Sequence, residues 1–591
     1  MNNTNRDKQL EIETMRHSAA HVMAAAIKRL YPQAKLGIGP AIENGFYYDI
    51  EFPKPISDEE LPPIEQKMEK IKEKAYPFER EEISVEEAKK LFKNNPYKLE
   101  LVKDLAAESE TISIYKTGEF VDLCRGPHVK DSSKIGSFKL HKIAGAYWRG
   151  NENNPMLTRI YGLSFPTKEE LEQHLKMLEK AKEHDHRKIG KELNLFSFHP
   201  AAPADIFWHP KGYTIVKEMM RYWREIHERE GYVEVRTPEI LTRETWDQSD
   251  HTKNFLEKMY KVTTPDAEEW NMAIKPMNCD GGMIIYNSKP RSYRDFPLRM
   301  GELGVVHRYE SSGETCGILR PREFTQDDAH IYCTPSQIKK ELKRVIDLCF
   351  EIYNTFGLEL DHLELSTQPE NSIGSQHVWK QAEEIMHEVL EEEEVPFQIN
   401  EGEGAFYGPK FDFHLRDKIG RTWQCSTIQL DFAQPENFDL KYTTKEGKEK
   451  RPVMIHRVLY GSIERFLGIF IENCAGNFPV WLAPVQAIVI PVSEKQNQYA
   501  QNIAQKLRNA VKNATGRFRI EIDTNSDTLE KKIRNAELQN IPYMLIVGSR
   551  EEDSGNEVSL RLRDEGDQGT VKINEFASQV QDKITKRSLE L

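Results

Sequence analysis

The stretch 306–333, VHRYESSGETCGILRPREFTQDDAHIYC, restricts the possible folds of this chain more than any other segment. Alternating residues at 304–309 and 317–324 predict two antiparallel strands joined by a polar loop, 310–316. Three arginines (Arg308, Arg320, Arg322) fall on or beside those strands. An arginine held on a strand presents a planar fork that can grip phosphate oxygens in pairs. The tail Gln326-Asp327-Asp328 can hold a cation or an amino group. With the aromatic Phe324 alongside, the segment suits a nucleotide bound without a Gly-rich phosphate loop. A surface hairpin of paired charges fits the same spacing.

Length and composition set the frame. A chain of 591 residues should divide into roughly three to four domains. With 38% hydrophobic and 30% charged residues it can bury several cores. A net charge of -13 excludes a surface coated in basic patches. It leaves room for nucleic acid on one local face, because only the local field matters there. Seven scattered cysteines without paired spacing fit a reducing compartment. The N-terminus carries no apolar signal segment. No run approaches the roughly 18 apolar residues of a membrane span. A cytoplasmic location and no membrane partner are expected.

Apolar periodicity predicts helices at 14–31, 58–75, 85–93, 214–230, 335–356 and 376–394. A charged helix at 167–194 opens on a Thr-x-x-Glu cap signal and reads as a connector. Its His184-Asp185-His186 could suggest a metal, but i,i+2 side chains do not share a helix face, so a solvated surface is expected. The two prolines of FPVWLAPVQ mark a boundary. The expected domains are 1–166, a linker helix 167–194, a large middle region 195–483 and 484–591. The last alternates strand and helix, which predicts an α/β unit with a mostly parallel sheet.

Three constellations carry chemistry. His17 and His21 stand at i and i+4 on the first helix, so both rings face one way. Asp122-Leu-Cys124-Arg-Gly-Pro-His128 adds a Cys and a His. The four N/S groups suffice for a tetrahedral metal site or for orienting a water. In 453–472 a strand end precedes an amphipathic helix that carries Arg465 within an apolar stretch. A buried charge there must bind an anion or pair with an acid such as Glu464. Finally, strand-like runs carry Tyr407, Lys410, Gln424 and Gln429, polar groups suited to a small polar substrate. No Walker-type lysine loop and no Rossmann glycine fingerprint appears.

VHRYESSGETCGILRPREFTQDDAH resembles motif 2 of the class II aminoacyl-tRNA synthetases, GSIERFLGIF their motif 3, and YVEVRTPEIL, with Pro238, their motif 1. The HIGH and KMSKS signatures of class I are absent. KPMNCDG, REFTQDDAH and VMIHRVLYGSIER narrow the resemblance to the threonyl-tRNA synthetases. RHSAAH, VDLCRGPHV and GAYWRG resemble that family's editing domain. The match runs from about residue 14 to near the C-terminus, in a form without the family's small N-terminal ubiquitin-like domain.

The resemblance implies an α+β multidomain chain. An N-terminal α+β editing domain precedes a class II catalytic domain on an antiparallel sheet, and a C-terminal α/β anticodon-binding domain follows. It implies ATP-dependent attachment of threonine to its tRNA through a threonyl-adenylate, with hydrolysis of mischarged seryl-tRNA. Arg308, Arg320 and Arg465 would be catalytic, binding ATP phosphates, with Mg²⁺ accompanying the ATP. Glu310, Phe324 and Gln424 would complete the ATP site. Gln326, Asp328, Tyr407, Lys410 and Gln429 would line the threonine pocket. Cys279, His330 and His456 would hold one Zn²⁺ per subunit. His17, His21, Lys98, Asp122, Cys124 and His128 would form the editing pocket, read as positioning water. Asp553 and Arg563 are candidates for anticodon contacts. The implied partners are tRNA(Thr), threonine, ATP and a second copy in a homodimer, with no DNA. Asp280, Gly282, the 249–252 segment, Pro321, Glu323 and Asp553 depart from the family's usual residues. A catalytically silent RNA-binding paralogue, another class II synthetase such as a prolyl or seryl enzyme, and a pure aminoacyl-tRNA hydrolase are the competing readings.

Overall fold

The computed structural model describes residues 3–591 except 109, 110, 152, 418, 419 and 513–515. The chain forms two compact units, 1–179 and 180–591. Among the described residues no helix is long and apolar enough to cross a membrane.

In the first unit the helix Asn3–Leu30 packs its alanine-rich side on an antiparallel sheet that includes Gly45–Glu51, Ser137–Tyr147 and Met156–Phe165. A second sheet pairs Glu79–Ser84, Thr111–Thr117 and Phe120–Leu123. Small residues at Ala19, Ala20 and Ala24–Ala26 are fully buried, which lets helix and sheet approach closely.

The centre of the second unit is an eight-stranded sheet. Its order is Val233–Glu234, Leu298–His307, Glu323–Cys333, Val453–Val458, Thr422–Asp431, Lys410–Arg416, Glu359–Ser366 and Gln398–Asn400. All inner pairings are antiparallel, and only the short strand at each edge pairs in parallel. The amphipathic helices Pro210–Arg229, Ile338–Phe356 and Ile463–Cys474 contribute to its principal core. A second layer is needed because a sheet with an apolar face must bury it.

The opening motif is a hairpin, with one difference from expectation. Its second strand begins at Glu323, not at Gly317. Gly317–Leu319 forms a short 3₁₀ turn. Pro321 has no N–H to give a ladder, and Gly317 takes φ of 52°, outside the strand region. Arg308, Arg320 and Arg322 therefore sit at the loop's ends instead of within strands.

The connector also differs. It breaks into Lys168–Glu183 and His186–Glu192. Asp185 caps the second piece, its carboxylate accepting from the Arg187 N–H at 2.8 Å. His186 is buried, not solvated: its Nδ1 lies 2.8 Å from Glu472 and its Nε2 accepts the Ile318 N–H at 3.2 Å. The helix break that capping creates lets the ring turn into the core.

The C-terminal sheet has the order Ile520–Ile522, Ala487–Pro491, Tyr543–Val547, Glu557–Leu562 and Gly566–Lys572. Two of its pairings are parallel and two antiparallel, so it is mixed, not mostly parallel. The last two strands form a hairpin, which needs no crossover helix.

Candidate active site and editing pocket

The cavity that opens on the catalytic sheet has a volume of about 390 Å³. Arg308, Glu310, Arg320, Phe324, Gln424 and Arg465 line it, as do Gln326, Asp328, Tyr407, Lys410 and Gln429. Cys279 and His456 line it too, with His330 immediately behind.

Strand register explains this convergence. Gln326 and Asp328 alternate with His330 on one face of Glu323–Cys333, and Lys410 pairs with Gln429 on the neighbouring strands. Arg465 arrives from the first turn of Ile463–Cys474. Ser462 caps that helix, its Oγ accepting the Arg465 N–H at 3.0 Å. The turn before it is held by Asp327, whose buried carboxylate accepts the N–H groups of Leu459, Tyr460 and Gly461 at 2.9–3.0 Å. Gly461 has φ of 88°, and a Cβ there would lie 2.5 Å from the Cys425 carbonyl oxygen.

The cations are unevenly satisfied. Arg308 donates to the Pro276 carbonyl at 3.1 Å, with its guanidinium 5.3 Å from the Phe324 ring centre. Arg465 donates to the carbonyls of Leu319 (3.0 Å) and Gln424 (3.4 Å). Among the described residues neither guanidinium forms an ion pair with a carboxylate, so the pairing of Arg465 with Glu464 is not found. Glu464 instead accepts the Thr325 N–H at 2.9 Å. Burial lowers the pKa of both arginines, and each is lowered further by another arginine: Arg465 for Arg308, and Arg320 for Arg465. Two half-buried guanidiniums, each without an ion-paired carboxylate, suit a polyanion. Arg320 differs, for it is half exposed and bridged to Glu310 (2.9 Å) and Glu314 (3.3 Å). Arg322 donates to the Glu310 carbonyl and holds the loop.

A metal-ligand set adjoins these groups. Ligand atoms of Cys279, His330 and His456 all lie within 4.8 Å of one another. His330 Nε2 and His456 Nδ1 are buried and have no hydrogen-bond partner. His456 Nε2 lies 2.8 Å from Asp431, the carboxylate contact that orients a ligating imidazole. Burial and the carboxylates Asp328, Asp280 and Asp431 push the Cys279 thiol well up, so a thiolate there needs a cation beside it. The Cys/His₂ donor set fits zinc, and three protein ligands would leave a fourth position open for substrate.

Several residues that shape the site escaped sequence reasoning. Asn278 donates to Asp328 at 3.3 Å, and Lys258 bridges Glu310 at 2.7 Å. The residues at 249–252 and Asp280, singled out separately as departures, are in contact. Ser249 Oγ donates to Asp280 at 2.7 Å and lies 2.6 Å from His251 Nδ1. Glu323 is also accounted for, since its carboxylate meets His307 at 3.1 Å.

In the first unit the predicted editing residues also converge. Cys124 Sγ lies 3.3 Å from His17 Nε2 and 3.2 Å from His128 Nε2. His21 sits outside that trio, its ring edge-on to His128 at 5.0 Å, with a buried Nε2 that has no partner. Lys98 and Asp122 form a buried ion pair at 2.7 Å, joined by the Tyr48 hydroxyl. Burial pushes the Cys124 thiol up to about 11, so it is a protonated thiol and not a nucleophile near neutrality. Burial lowers His21 to about 3 and His128 to about 2, so both rings are neutral near pH 7 and can serve as hydrogen-bond partners for water.

In the C-terminal region Asp553 is exposed on Ser549–Ser554. Arg563 is tied to the carbonyls of Phe478 and Asn540, each at 3.2 Å, and to Asp564.

An arginine-lined cavity on an antiparallel sheet of this order defines a class II aminoacyl-tRNA synthetase core, and residues 260–474 match the tRNA synthetase class II core domain (G, H, P, S and T). Residues 486–583 match an anticodon binding domain, and 112–161 match the second additional domain of threonyl- and alanyl-tRNA synthetases. The threonine–tRNA ligase of Carboxydothermus hydrogenoformans is 52% identical over 97% of this chain and 89% of its own length. That of Clostridioides difficile is 51% identical over 97% and 88%. A structure of the RNA binding domain of threonyl-tRNA synthetase from Cryptosporidium parvum superposes with TM-score 0.64 at 37% identity, covering 67% of this chain and 98% of that one. The chain belongs to the threonine–tRNA ligase family.

Proposed function

We infer that the chain attaches threonine to its tRNA in two steps and clears mischarged products in its N-terminal unit. In the first step a threonine carboxylate oxygen forms a bond to the α-phosphorus of ATP, and pyrophosphate leaves. In the second, a ribose hydroxyl of tRNA(Thr) attacks the threonyl carbonyl and AMP leaves.

The observation that carries this reading is the meeting of Arg308 and Arg465 with Cys279, His330 and His456 around one cavity. These two half-buried arginines bind the ATP phosphates, Arg308 at α and Arg465 at γ. They neutralise charge where it develops, in a site whose dipoles are already fixed. Arg320 leaves Glu310 to join them, and Mg²⁺ enters with the nucleotide. Phe324 offers an adenine platform and Gln424 a polar edge. Asp328, held by Asn278, accepts the substrate ammonium. Gln326, Lys410, Tyr407 and Gln429 surround the rest of the amino acid, and the Tyr407 hydroxyl is oriented by Gln429 at 2.6 Å.

Cys279, His330 and His456 would hold one Zn²⁺ per subunit, and the metal would supply a Lewis acid that favours a substrate bearing a hydroxyl. An apolar pocket alone separates isosteres such as threonine and valine by only about 10²-fold. Serine retains the hydroxyl and is smaller, so a second, hydrolytic site is needed. His17, His21, Cys124 and His128 orient water for that step, with Lys98 and Asp122 bracing the pocket. We assign 1–166 to editing, 167–194 to the linker, 195–483 to catalysis and 484–591 to tRNA anticodon binding, with Asp553 and Arg563 as contacts. The working form is a cytoplasmic homodimer.

ATP–pyrophosphate exchange tests the reading. Exchange is expected with threonine, weaker with serine and near background with valine. No threonine-dependent exchange in zinc-replete protein would overturn it.

A further inference from the structure

We propose that His362, Glu364 and His414 form a second site for a divalent transition metal, at the edge of the catalytic sheet and apart from the Cys279 set.

His362 and Glu364 are i and i+2 on Glu359–Ser366, so they share a face. His414 lies directly opposite His362 on Lys410–Arg416. The two imidazoles stack with centroids 4.3 Å apart and planes 7° from parallel. Glu364 reaches across both rings. One carboxylate oxygen is 3.4 Å from His362 Nε2 and the other 3.4 Å from His414 Nε2. All three ligand atoms lie within 4.8 Å of one another. Bonds of about 2.0–2.1 Å in a tetrahedral centre place ligand atoms roughly 3.3 Å apart. The site is therefore nearly formed, and its closure needs only small side-chain rotations.

The surroundings are those of a ligating pair. His362 Nδ1 lies 2.6 Å from the Asp361 carboxylate. With Nδ1 donating to Asp361, Nε2 would be left free to ligate on the side of Glu364. His414 Nε2 is buried and makes no well-formed hydrogen bond, with the Glu364 oxygen at 3.4 Å. Asn400 donates to Glu364 at 2.9 Å and fixes the carboxylate. Two imidazoles and one carboxylate select zinc, nickel or copper over magnesium and calcium, which prefer all-oxygen sets. This centre is thus chemically unlike a magnesium site that accompanies ATP.

Its position gives it a mechanical role. Lys410, Asp412 and His414 alternate on one strand face. Asp412 contacts both Lys410 and Gln424 at 2.5 Å, and these two line the cavity. A metal at His362 and His414 cross-links the two strands beside that row without entering the cavity.

The test titrates metal-free, full-length protein with zinc and counts tight equivalents. Two per chain are expected in the parent, and one in each of two variants, His362→Ala/His414→Ala and Cys279→Ala. The double histidine variant should keep threonine-dependent exchange while Cys279→Ala loses it, so failure here is distinguishable from failure of the catalytic zinc reading. Loss of no equivalent from a folded double variant overturns the proposal. Should that variant not fold, crystals of the parent grown with two equivalents of zinc decide the matter. An anomalous peak between His362, Glu364 and His414 supports the site, and its absence overturns it.

Discussion

His330 and His456 are direct partners across an antiparallel ladder, with ring centroids 4.9 Å apart. The strand pairing that builds the sheet thus also sets two nitrogen ligands side by side. Cys279, from the start of the helix Cys279–Tyr286, completes the trio. The expected consequences follow from how these and neighbouring groups are held.

Replacing Cys279 with alanine removes one ligand of three. Bound zinc should fall by one equivalent per chain, and threonine-dependent exchange should drop to background. Chelation of the parent should give the same loss, reversed by added zinc. Near-normal exchange in the variant would refute the assignment of that trio.

Arg465→Ala deletes a half-buried cation that has no ion-paired carboxylate among the described residues. With an anionic transition state the expected cost in kcat/KM for ATP is about 10²–10³-fold. Arg465→Lys should recover little, because a point charge cannot replace a fork anchored on two carbonyls. A silent Arg465→Ala would reduce the residue to a structural tether.

His17→Ala combined with His21→Ala should leave threonine charging intact and let seryl-tRNA accumulate, measured by charging with radiolabelled serine. Flat mischarging would sink the editing assignment.

Burial depresses the folded-state pKa of His21 to about 3. Its unfolded value is near 6.5, so between the two the unfolded chain binds the extra proton. Stability is therefore full above about pH 6.5 and falls as pH drops toward 3, by roughly 1.4 kcal/mol per pH unit for one such histidine. Urea midpoints of the full chain should be lower at pH 5 than at pH 7.5. His21→Leu should weaken that dependence; an unchanged slope would show that other groups set it.

Ser249→Ala removes the 2.7 Å hydrogen bond to buried Asp280, whose other carboxylate oxygen already lacks a partner. The expected loss is about 1–3 kcal/mol of stability, read from denaturant unfolding. Asp280→Asn with Ser249 intact should cost less, since the amide oxygen still accepts.

Much of the architecture was legible in the chain. Helical periodicity marked the long helices, and His17, His21, Cys124 and His128 stood out because short spacings along a helix or loop fix relative direction. The hairpin 306–333 announced itself by its arginines, yet Pro321 and Gly317 delayed its second strand to Glu323. Local spacing also misread His186, because a capped break turned its ring inward to Glu472.

Sequence alone determined which residues carry charge, metal affinity and helical or strand periodicity, since those properties belong to side chains and near neighbours. It also carried the family resemblance, read from motifs. Only the tertiary structure decided that His330 faces His456, that Ser249 touches Asp280, and that His362 stacks on His414. Those meetings depend on strand register and on packing between segments distant in the chain. A one-residue slip in register turns every side chain to the opposite face. The cooperative burial of the whole sheet fixes that register, and no spacing along the sequence encodes it.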